Sequence, residues 1–525
     1  MSVGTVSRLA LFDLRRDRFI LPWWIAGGVL LYWSQAISVE SIYPTQAEFD
    51  AAAEAMAKNA AFIAMAGPAR ALNTVGGQVA WQSSAFGAVV AGLMSMLIVG
   101  RHTRAEEESG RDELVRAGAV GRFEPLVAVL LVVLLANVAL GGLISASLIA
   151  YGLAVAGSIS LGLAAALAGL VFGAASLVAA QLAQTTRTMY GLVGMLIAAS
   201  YVLRAVGDVG NQALSWLSPI GWGQAMHAFS GERWWPALLS GAAALALGTV
   251  AVRLFNHRDI GSGVWSARPG PAMAGHRLRN PFGLAWRLQR GSIAAWGAGM
   301  LLTGLAYGAT GDEVGDIVGD SEFSRAVFHQ TGASLVDSFY GVAALMLALI
   351  STGFAISSSL RPRGEELEGR LEPLLSTGVS RSKWATSHLA MSVGGTMVVV
   401  AAGGLGLGLG YTLVTGDVGA LPRLFGATVP YVAPIFVLVA VTWLMYGLDS
   451  RMAGIGWVAL TFCVVLMIFG ELLRFPRWVI ELSPFSHLAL APAEPFAWAP
   501  VLWLLTLAVV VAASGLAAFR HRDVG

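Results

Sequence analysis

Long uncharged apolar runs are the feature that most constrains how this chain folds. The 525 residues are 56% hydrophobic and only 12% charged, whereas an ordinary soluble chain has about 25% charged residues. A membrane-spanning helix needs about 20 mostly apolar residues, and roughly twelve stretches meet that requirement. These stretches are 19–37, 80–100, 126–151, 160–184, 188–206, 234–254, 292–310, 338–359, 386–411, 427–447, 453–470 and 497–518.

The apolar runs are continuous and do not alternate with a period of two, which is the pattern of a membrane β-barrel. Helices and closed barrels are the structures that satisfy backbone polar groups in lipid. The sequence therefore predicts an all-α polytopic membrane protein with about 12 transmembrane helices. The single cysteine, Cys463, excludes an intrachain disulfide. The eight histidines form no recognisable cluster, and we predict no metal site and no catalytic site.

The distribution of cationic residues predicts the orientation. If the N-terminus is cytoplasmic, 25 of the 33 Lys and Arg residues fall in inner segments, as expected when positive charge stays inside. Both termini are then cytoplasmic. The formal net charge of +2 says little about partners, and we expect no nucleic-acid partner.

The sequence contains two related halves. An ungapped comparison of residues 106–122 with residues 365–381 gives seven identities in seventeen positions. Phe-Asn-His-Arg-Asp-Ile-Gly at 255–261 also resembles Phe-Arg-His-Arg-Asp-Val-Gly at 519–525. Six spans per half predict a parallel repeat. We predict a first six-helix half at 1–255 with a cytoplasmic elbow and coupling helix, a cytoplasmic linker at 256–285, and a second six-helix half at 286–525. We interpret the His-Arg-Asp triplets at 257–259 and 521–523 as cationic anchors at the cytoplasmic face.

We name residues 106–122 the first charged segment and residues 365–381 the second charged segment. Each follows the second span of its half, so both are predicted to be cytoplasmic. In the second charged segment Leu367, Leu371, Leu374 and Leu375 recur at the spacing of a short amphipathic helix. The simpler alternative is a solvated loop whose acids and arginines pair with each other, but the duplication favours a surface that docks on another protein.

Glutamates, a glycine, Glu-x-Leu-Leu and a turn that ends in Ser380-Arg381 resemble the signature of ABC-2 type transporter permeases. The family implies a type V exporter-like fold in which this segment is a coupling helix that rests on an ATP-binding subunit. The matching residues are Glu106, Glu107, Gly110, Arg111, Glu113 and Arg122, and then Glu365, Glu366, Gly369, Arg370, Leu371, Glu372, Leu374, Leu375 and Arg381. The first segment departs from the family, with Arg116 and Ala117 in place of Leu375 and Ser376.

Ser-Pro recurs between the fifth and sixth spans of each half, at 218–219 and 483–484. In the ABC-2 family this outer loop holds short re-entrant helices. The arrangement of two halves in one chain is most similar to actinobacterial exporters of polyketide antibiotics, the tetronasin-type multidrug efflux permeases of the bacterial cytoplasmic (inner) membrane. The resemblance implies export of hydrophobic drugs, and we expect membrane lipid and a hydrophobic small-molecule substrate as partners.

A Walker A loop requires glycines before Lys-Ser/Thr, and neither Lys58 nor Lys383 has them. The chain is therefore predicted to be a permease subunit, not an enzyme, and to hold no cofactor. The resemblance implies that ATP and Mg are bound by two copies of a separate ABC ATP-binding subunit. The glycine-rich run Gly403–Gly410 lies inside an apolar span, where glycines permit close contact between helices.

The main alternative is an ion-coupled drug/proton antiporter of the major facilitator type, which also has two parallel six-helix halves. Such carriers usually place charged residues inside the membrane. The predicted spans are almost free of them, with Arg204 and Glu471 near span ends. A third class, a non-transporting assembly or immunity protein, leaves the paired charged segments unexplained.

A hydrophobic substrate requires an apolar pathway with aromatic and adaptable Met side chains. The resemblance implies that the second and fifth spans of each half line this pathway. The alternative for any one of these side chains is contact with lipid or with another helix. The candidates are Phe86, Met94, Met96, Met195 and Tyr201 in the first half, and Tyr340, Met346, Phe354, Trp457, Phe462 and Met467 in the second.

Overall fold

The fold is helical throughout the part of the chain that the structure describes. This computed structural model describes residues 2–42, 45–58, 60–259, 261–265, 272–273, 275–310, 335–469 and 475–523. Within these ranges eleven helices are long and apolar enough to cross a membrane, which confirms the prediction of an all-α polytopic membrane protein. One predicted span, 292–310, is not among these eleven helices. It overlaps the 28-residue helix Pro281–Gly308, whose glycines and two arginines lower the mean hydropathy of the helix. Glu471 lies outside the described residues.

The first half begins with an amphipathic helix and continues through six long helices with short helices between them. In chain order these are α1 Val3–Asp17, α2 Ile20–Ile42, α3 Gln46–Lys58, α4 Ala60–Ala66, α5 Val75–His102, α6 Arg104–Glu108, α7 Arg111–Arg116, α8 Glu124–Tyr151, α9 Val155–Leu182, α10 Thr186–Val209, α11 Pro219–Gln224 and α12 Trp235–Asn256. A 3₁₀ turn, Leu214–Leu217, precedes α11.

The second half has the same order of long helices. They are α13 Pro281–Gly308, α14 Leu335–Ser359, α15 Arg361–Leu367, α16 Leu371–Leu375, α17 Arg381–Thr415, α18 Ala420–Thr428, α19 Val432–Leu448, α20 Ile455–Phe469, α21 Arg477–Ile480 and α22 Trp498–His521. A 3₁₀ turn, Val429–Tyr431, joins α18 to α19, and others cover Ser450–Gly454 and Pro484–His487. The Ser-Pro sequences thus open short helical elements in both halves.

The described residues divide into two compact units, one with the helices up to α12 and the other with the helices from α13 onward. The limits 1–255, 256–285 and 286–525 stay a prediction. In the first unit α9 packs against α5, α8 and α12. Gly141 of α8 and Gly162 of α9 face each other so closely that a Cβ on Gly162 would collide with the carbonyl oxygen of Gly141. Small residues therefore set the separation of these helices.

In the second unit α17 packs along α13 and also contacts α14 and α18. The glycine-rich run of α17 provides the contact with α13, because a Cβ on Gly406 would meet the backbone of Leu301 and one on Gly410 would meet that of Leu305. This confirms the prediction that Gly403–Gly410 permits close helix contact.

Candidate functional site

Each charged segment includes the end of one short helix and the whole of the next, with a glycine between the two helices. In the first charged segment Gly110 separates α6 from α7, and in the second Gly369 separates α15 from α16. Gly110 and Gly369 have φ angles of 72° and 66°, a left-handed conformation that favours glycine. The sequence predicts one short amphipathic helix in the second segment. That prediction is wrong, because the left-handed turn at Gly369 ends α15 before α16 begins.

The leucines of the second charged segment do not share one face. Leu371 is 2% exposed, and Leu374 and Leu375 pack against the core of the second unit. Leu367, on α15, is 65% exposed. The segment is therefore attached to its own unit by α16, while the end of α15 is left at the surface.

An ion pair joins each charged segment to the end of the last long helix of its half. Arg258, just after α12, donates hydrogen bonds from two guanidinium nitrogens to Glu107, one of them with an Nη1–Oε2 distance of 3.0 Å. Arg522, just after α22, donates to Glu366 with an Nη2–Oε2 distance of 2.6 Å. We name Glu107–Arg258 the first anchoring pair and Glu366–Arg522 the second anchoring pair. They occupy equivalent positions of the sequence repeat.

A second contact between the same stretches is repeated as well. Arg122 donates from Nη2 to the carbonyl oxygens of Asn256 and Arg258, at 3.3 and 3.1 Å. Arg381 donates from Nη1 to the carbonyl oxygens of Arg520 and Arg522, at 3.4 and 2.7 Å. A cation that binds the last carbonyls of a helix satisfies its unpaired acceptors and complements the helix dipole. Arg122 and Arg381 are therefore helix-capping residues.

The first glutamate of each charged segment stabilises the glycine turn. Glu106 accepts a hydrogen bond from Nε of Arg111 at 3.2 Å, and Glu365 accepts one from Nε of Arg370 at 2.8 Å. The hydrogen bond to Glu365 raises the pKa of Arg370 above its ordinary value. These pairs bridge the two short helices on either side of the left-handed glycine.

The first charged segment has additional contacts. Glu106 also accepts a hydrogen bond from Arg16 of α1 at 2.7 Å, and this bond raises the pKa of Arg16. Glu108 accepts two hydrogen bonds from Thr186, the first residue of α10, at 2.8 and 2.6 Å. The segment is thus tied to α1 and α10 as well as to α12. The residue equivalent to Glu108 in the second half is Leu367, which has no carboxylate.

Part of each charged segment faces outward. In the first segment Arg111 and Glu113 are exposed, and Leu114 is 77% exposed. In the second segment Arg370 and Glu372 are exposed. The predicted coupling residues therefore fall into two groups. The glutamates at 106–107 and 365–366, with Arg122 and Arg381, hold each segment in place, and Arg111, Glu113, Arg370 and Glu372 are accessible to a partner.

Sequence reasoning missed the role of the arginines in the His-Arg-Asp triplets. Arg258 is buried and Arg522 is mostly buried in its ion pair, so each arginine binds a glutamate of its own half, and the interpretation of the triplets as anchors at the cytoplasmic face stays a prediction. Arg104 was also missed. It is 1% exposed and donates to Glu107 at 3.0 Å and to the carbonyl oxygen of Ser262 at 2.9 Å. For Arg258 and Arg522 the sequence did contain a signal, because both residues belong to the stretches that are repeated in the two halves.

The predicted pathway residues of the first half lie in different environments. Phe86 and Tyr201 are neighbours, with ring centroids 6.1 Å apart. Met94 and Met96 are buried, and Met195 is exposed. Met94 lines a cavity of about 310 Å³ together with Trp24 and Tyr190. The structure thus brings Phe86 and Tyr201 together, and Phe86 and Met195 are exposed whereas Met94 and Met96 are buried.

In the second half Tyr340 and Phe354 fill the core of the unit. Tyr340 donates a hydrogen bond to the carbonyl oxygen of Gly308 at 3.1 Å. Met346 and Met467 are partly buried against the same core, and Trp457 and Phe462 are exposed. Whether any of these side chains contacts a substrate stays a prediction.

Two comparisons with known proteins are informative. A family model described as the C-terminal domain of the multidrug efflux system permease Rv1217c matches residues 278–520. Over an alignment 525 residues long, the chain is 38% identical to the multidrug efflux system permease protein Rv1217c of Mycobacterium tuberculosis. The alignment covers 99% of this chain and 95% of the relative, so the similarity extends through both halves.

Proposed function

Because the chain belongs to the family of multidrug efflux system permeases, we propose that it is the membrane-spanning subunit of an ATP-driven exporter of hydrophobic drugs. We propose that ATP hydrolysis is supplied by two copies of a separate ABC ATP-binding subunit, which binds ATP and Mg. In this proposal the chain is an ABC-2 type permease, similar to the tetronasin-type exporters. It lies in the bacterial inner membrane with both termini in the cytoplasm.

The observation that carries the proposal is the repeated attachment of the two charged segments. A solvated loop needs no fixed contacts with the rest of its unit. Each charged segment instead has an anchoring pair, a capping arginine and a bridged glycine turn at equivalent positions. The same construction in both halves suits two copies of one partner.

The attachment gives each segment a mechanical role. The first charged segment is covalently continuous with α5 and α8, and the first anchoring pair joins it to the end of α12. The second charged segment is joined in the same way to α14, α17 and α22. A displacement applied to the exposed face therefore acts on three long helices of one half at once. Closure of the ATP-binding subunits would drive substrate movement through this link.

The distribution of buried charge favours this proposal over the ion-coupled carrier. Among the described residues the buried Asp, Glu, Arg and His side chains are Asp17, His102, Arg104, Asp112, Glu124, Arg204, Arg258 and His388. All of them lie near helix ends or in the adjoining segments. A proton relay requires ionisable groups inside the membrane, and the middle of the described long helices contains no buried Asp, Glu, Lys, Arg or His.

Reconstitution with the ATP-binding subunit tests the proposal. Glu113→Arg and Glu372→Arg reverse charge on the exposed faces, and Glu481→Arg is a matched control at an exposed acid outside the charged segments. We expect each of the first two variants to lose subunit binding and drug-stimulated ATP hydrolysis, with the control unchanged. Full activity in both variants would restore the solvated-loop interpretation and the ion-coupled carrier. ATP hydrolysis by the purified chain alone would also contradict the assignment.

A further inference from the structure

A polar cavity of about 280 Å³ lies in the first unit, at the end of α5 that is opposite the first charged segment. It is bounded by residues 67–74, which precede α5, and by residues 210–234, which join α10 to α12. We name it the loop pocket. The residues that line it include Arg70, Asp208, Gln212, Trp216, His227 and Arg233.

The loop pocket has an excess of positive charge. The structure gives Arg70 one side-chain hydrogen bond, to the carbonyl oxygen of Gln224 at 3.3 Å, and in the described part of the chain neither Arg70 nor Arg233 has a carboxylate at ion-pair distance. Asp208 is already engaged, with Arg204 at 3.4 Å and with the hydroxyl of Ser215 at 2.6 Å. Two guanidinium groups thus face the cavity without a carboxylate in direct contact, and the one carboxylate in the lining, Asp208, is shared with Arg204.

The titration of the neighbouring groups agrees with this charge excess. Burial and the two cations Arg70 and Arg233 lower the pKa of His227 to about 4. Burial also lowers the pKa of Arg70, Asp208 partly opposes this shift, and the charge of Arg233 adds to it. An anion in the loop pocket would relieve both effects, since an opposite charge stabilises a cationic group.

The backbone around the loop pocket is held in an uncommon conformation. Among the described residues four non-glycine residues have positive φ, and all four lie in the two bounding loops: Ala71, Gln212, His227 and Phe229, at 47°, 62°, 53° and 60°. Such residues cluster at functional sites, where the surrounding structure maintains them. Here Trp81 donates from Nε1 to the carbonyl oxygen of Gly67 at 2.7 Å, and Gln224 donates from Nε2 to that of Ala66 at 2.6 Å.

The second half does not repeat the cations that follow the Ser-Pro element. Residues 225–234 of the first half include His227, Glu232 and Arg233. With the two Ser-Pro pairs aligned, the corresponding residues 490–499 of the second half contain no Lys, Arg or His and include Glu494. These two cations are therefore a property of the first half and do not follow from the repeat.

The surroundings of the loop pocket are apolar. Trp216 stacks on Trp235 with ring centroids 5.2 Å apart, and both are exposed, as is Leu217. A drug-sized molecule requires a pocket of about 300–1,000 Å³, so the cavity suits a polar group while these side chains offer a surface to an apolar body.

We propose that the loop pocket binds the acidic group, a carboxylate or a phosphate, of an amphipathic molecule whose apolar part lies on Trp216, Trp235 and Leu217. Guanidinium groups suit such acids because they form charge-assisted and bidentate hydrogen bonds. The molecule is an anionic lipid or an exported organic acid. The proposal rests on the geometry of the first unit and does not depend on the proposed coupling to ATP.

Titration calorimetry of the full chain in a neutral detergent tests the proposal. The probes are dihexanoyl phosphatidylglycerol, decanoate and, as the uncharged comparison, dihexanoyl phosphatidylcholine. The variants are Arg70→Gln and Arg233→Gln, and Arg253→Gln is the matched control, an exposed arginine at the other end of α12. Arg233 is exposed, so its variant tests the loop pocket even if Arg70→Gln does not fold.

We expect at least one anionic probe to bind more tightly than phosphatidylcholine, and each pocket variant to weaken that binding by about tenfold or more, since a hydrogen bond to a charged group contributes about 1.5–3 kcal/mol. Binding of phosphatidylglycerol alone would identify a lipid site, and binding of decanoate alone a site for exported acids. Equal binding of all three probes, or unchanged affinity in Arg233→Gln, would overturn the proposal.

Discussion

Glu366 and Arg522 are separated by 156 residues in the sequence, and a carboxylate oxygen of Glu366 accepts a hydrogen bond from Arg522 at 2.6 Å. Glu107 and Arg258, 151 residues apart, make the equivalent contact in the first half. The two halves thus preserve the pairing between a charged segment and a helix end, although neither partner is near the other in sequence.

Glu366→Gln should loosen the second charged segment without changing its exposed face. The side chains of Glu366 and Arg522 are 11% and 12% exposed, and Tyr446 also donates to Glu366 at 2.8 Å. We expect the free energy of unfolding to fall by about 1–3 kcal/mol, because charged partners are left incompletely paired. Drug-stimulated ATP hydrolysis should fall while the ATP-binding subunit still binds. Unfolding in mixed micelles and co-purification measure the two effects.

Glu368→Gln is the control for that experiment. Glu368 pairs with Arg370 but its side chain is 59% exposed, and exposed ion pairs contribute about 0–1 kcal/mol. If Glu366→Gln and Glu368→Gln had equal effects, the second anchoring pair would have no special role.

Gly369→Ala should destabilise the turn between α15 and α16. A Cβ at Gly369 would have open space around it, so any effect comes from the φ angle of 66°, which costs an L residue about 1–2 kcal/mol. Gly364→Ala is the matched control, because Gly364 lies in α15 with equally open surroundings and without a positive φ. There alanine should be neutral or stabilise by up to about 1 kcal/mol. Urea unfolding of both variants in micelles measures the difference, and an equal response would argue against the strained turn.

Gly406→Ala should disturb the contact between α13 and α17. Its Cβ would meet the backbone of Leu301, which cannot move aside as a flexible side chain does, and overpacking costs about 1–3 kcal/mol. Gly394→Ala, on α17 with no neighbouring atom in reach, is the control and should be tolerated. Thermal unfolding midpoints distinguish the two variants, and an equally stable Gly406→Ala would show that the helices are farther apart than the structure indicates.

Binding of an anion in the loop pocket should strengthen as the pH falls from 7 toward 4. With the pKa of His227 at about 4 in the empty protein, the imidazole is neutral at pH 7, and a bound anion makes protonation more favourable. Arg70 and Arg233 keep their charge over this range, and Asp208 also faces the cavity. Dihexanoyl phosphatidylglycerol is a suitable probe because its phosphodiester remains ionised. His227→Gln should remove the part of the pH dependence that comes from His227, and an unchanged slope would assign the effect to Asp208.

Much of the fold was predictable because each spanning helix is encoded locally. Apolar runs of sufficient length specify their own helices, and the eleven helices of the described chain overlap eleven of the predicted spans. The close helix contact of α17 was likewise predictable, because the glycine run that permits it is visible in the local sequence. The prediction of a single amphipathic helix in the second charged segment was wrong, because the spacing of leucines does not show that the backbone of Gly369 is in the left-handed conformation.

The contacts within the candidate site depend on which helices lie together. Glu107 and Glu366 were recognised as repeated residues, as were Arg258 and Arg522, but no local pattern shows that the ends of α12 and α22 lie beside the charged segments. The surroundings of the predicted pathway residues also depend on which helices lie together, and the sequence does not show this. Tyr340 and Phe354 fill the core of the second unit, and helical spacing alone does not distinguish a side chain that fills a core from one that lines a pathway.

Each anchoring pair takes both of its members from one half of the chain. During synthesis the first half therefore contains everything that its charged segment requires as soon as Arg258 has been made, before any residue of the second half exists. The second anchoring pair must wait for Arg522. An order of assembly follows from this arrangement, in which the first charged segment has both members of its anchoring pair while the second half is still being translated.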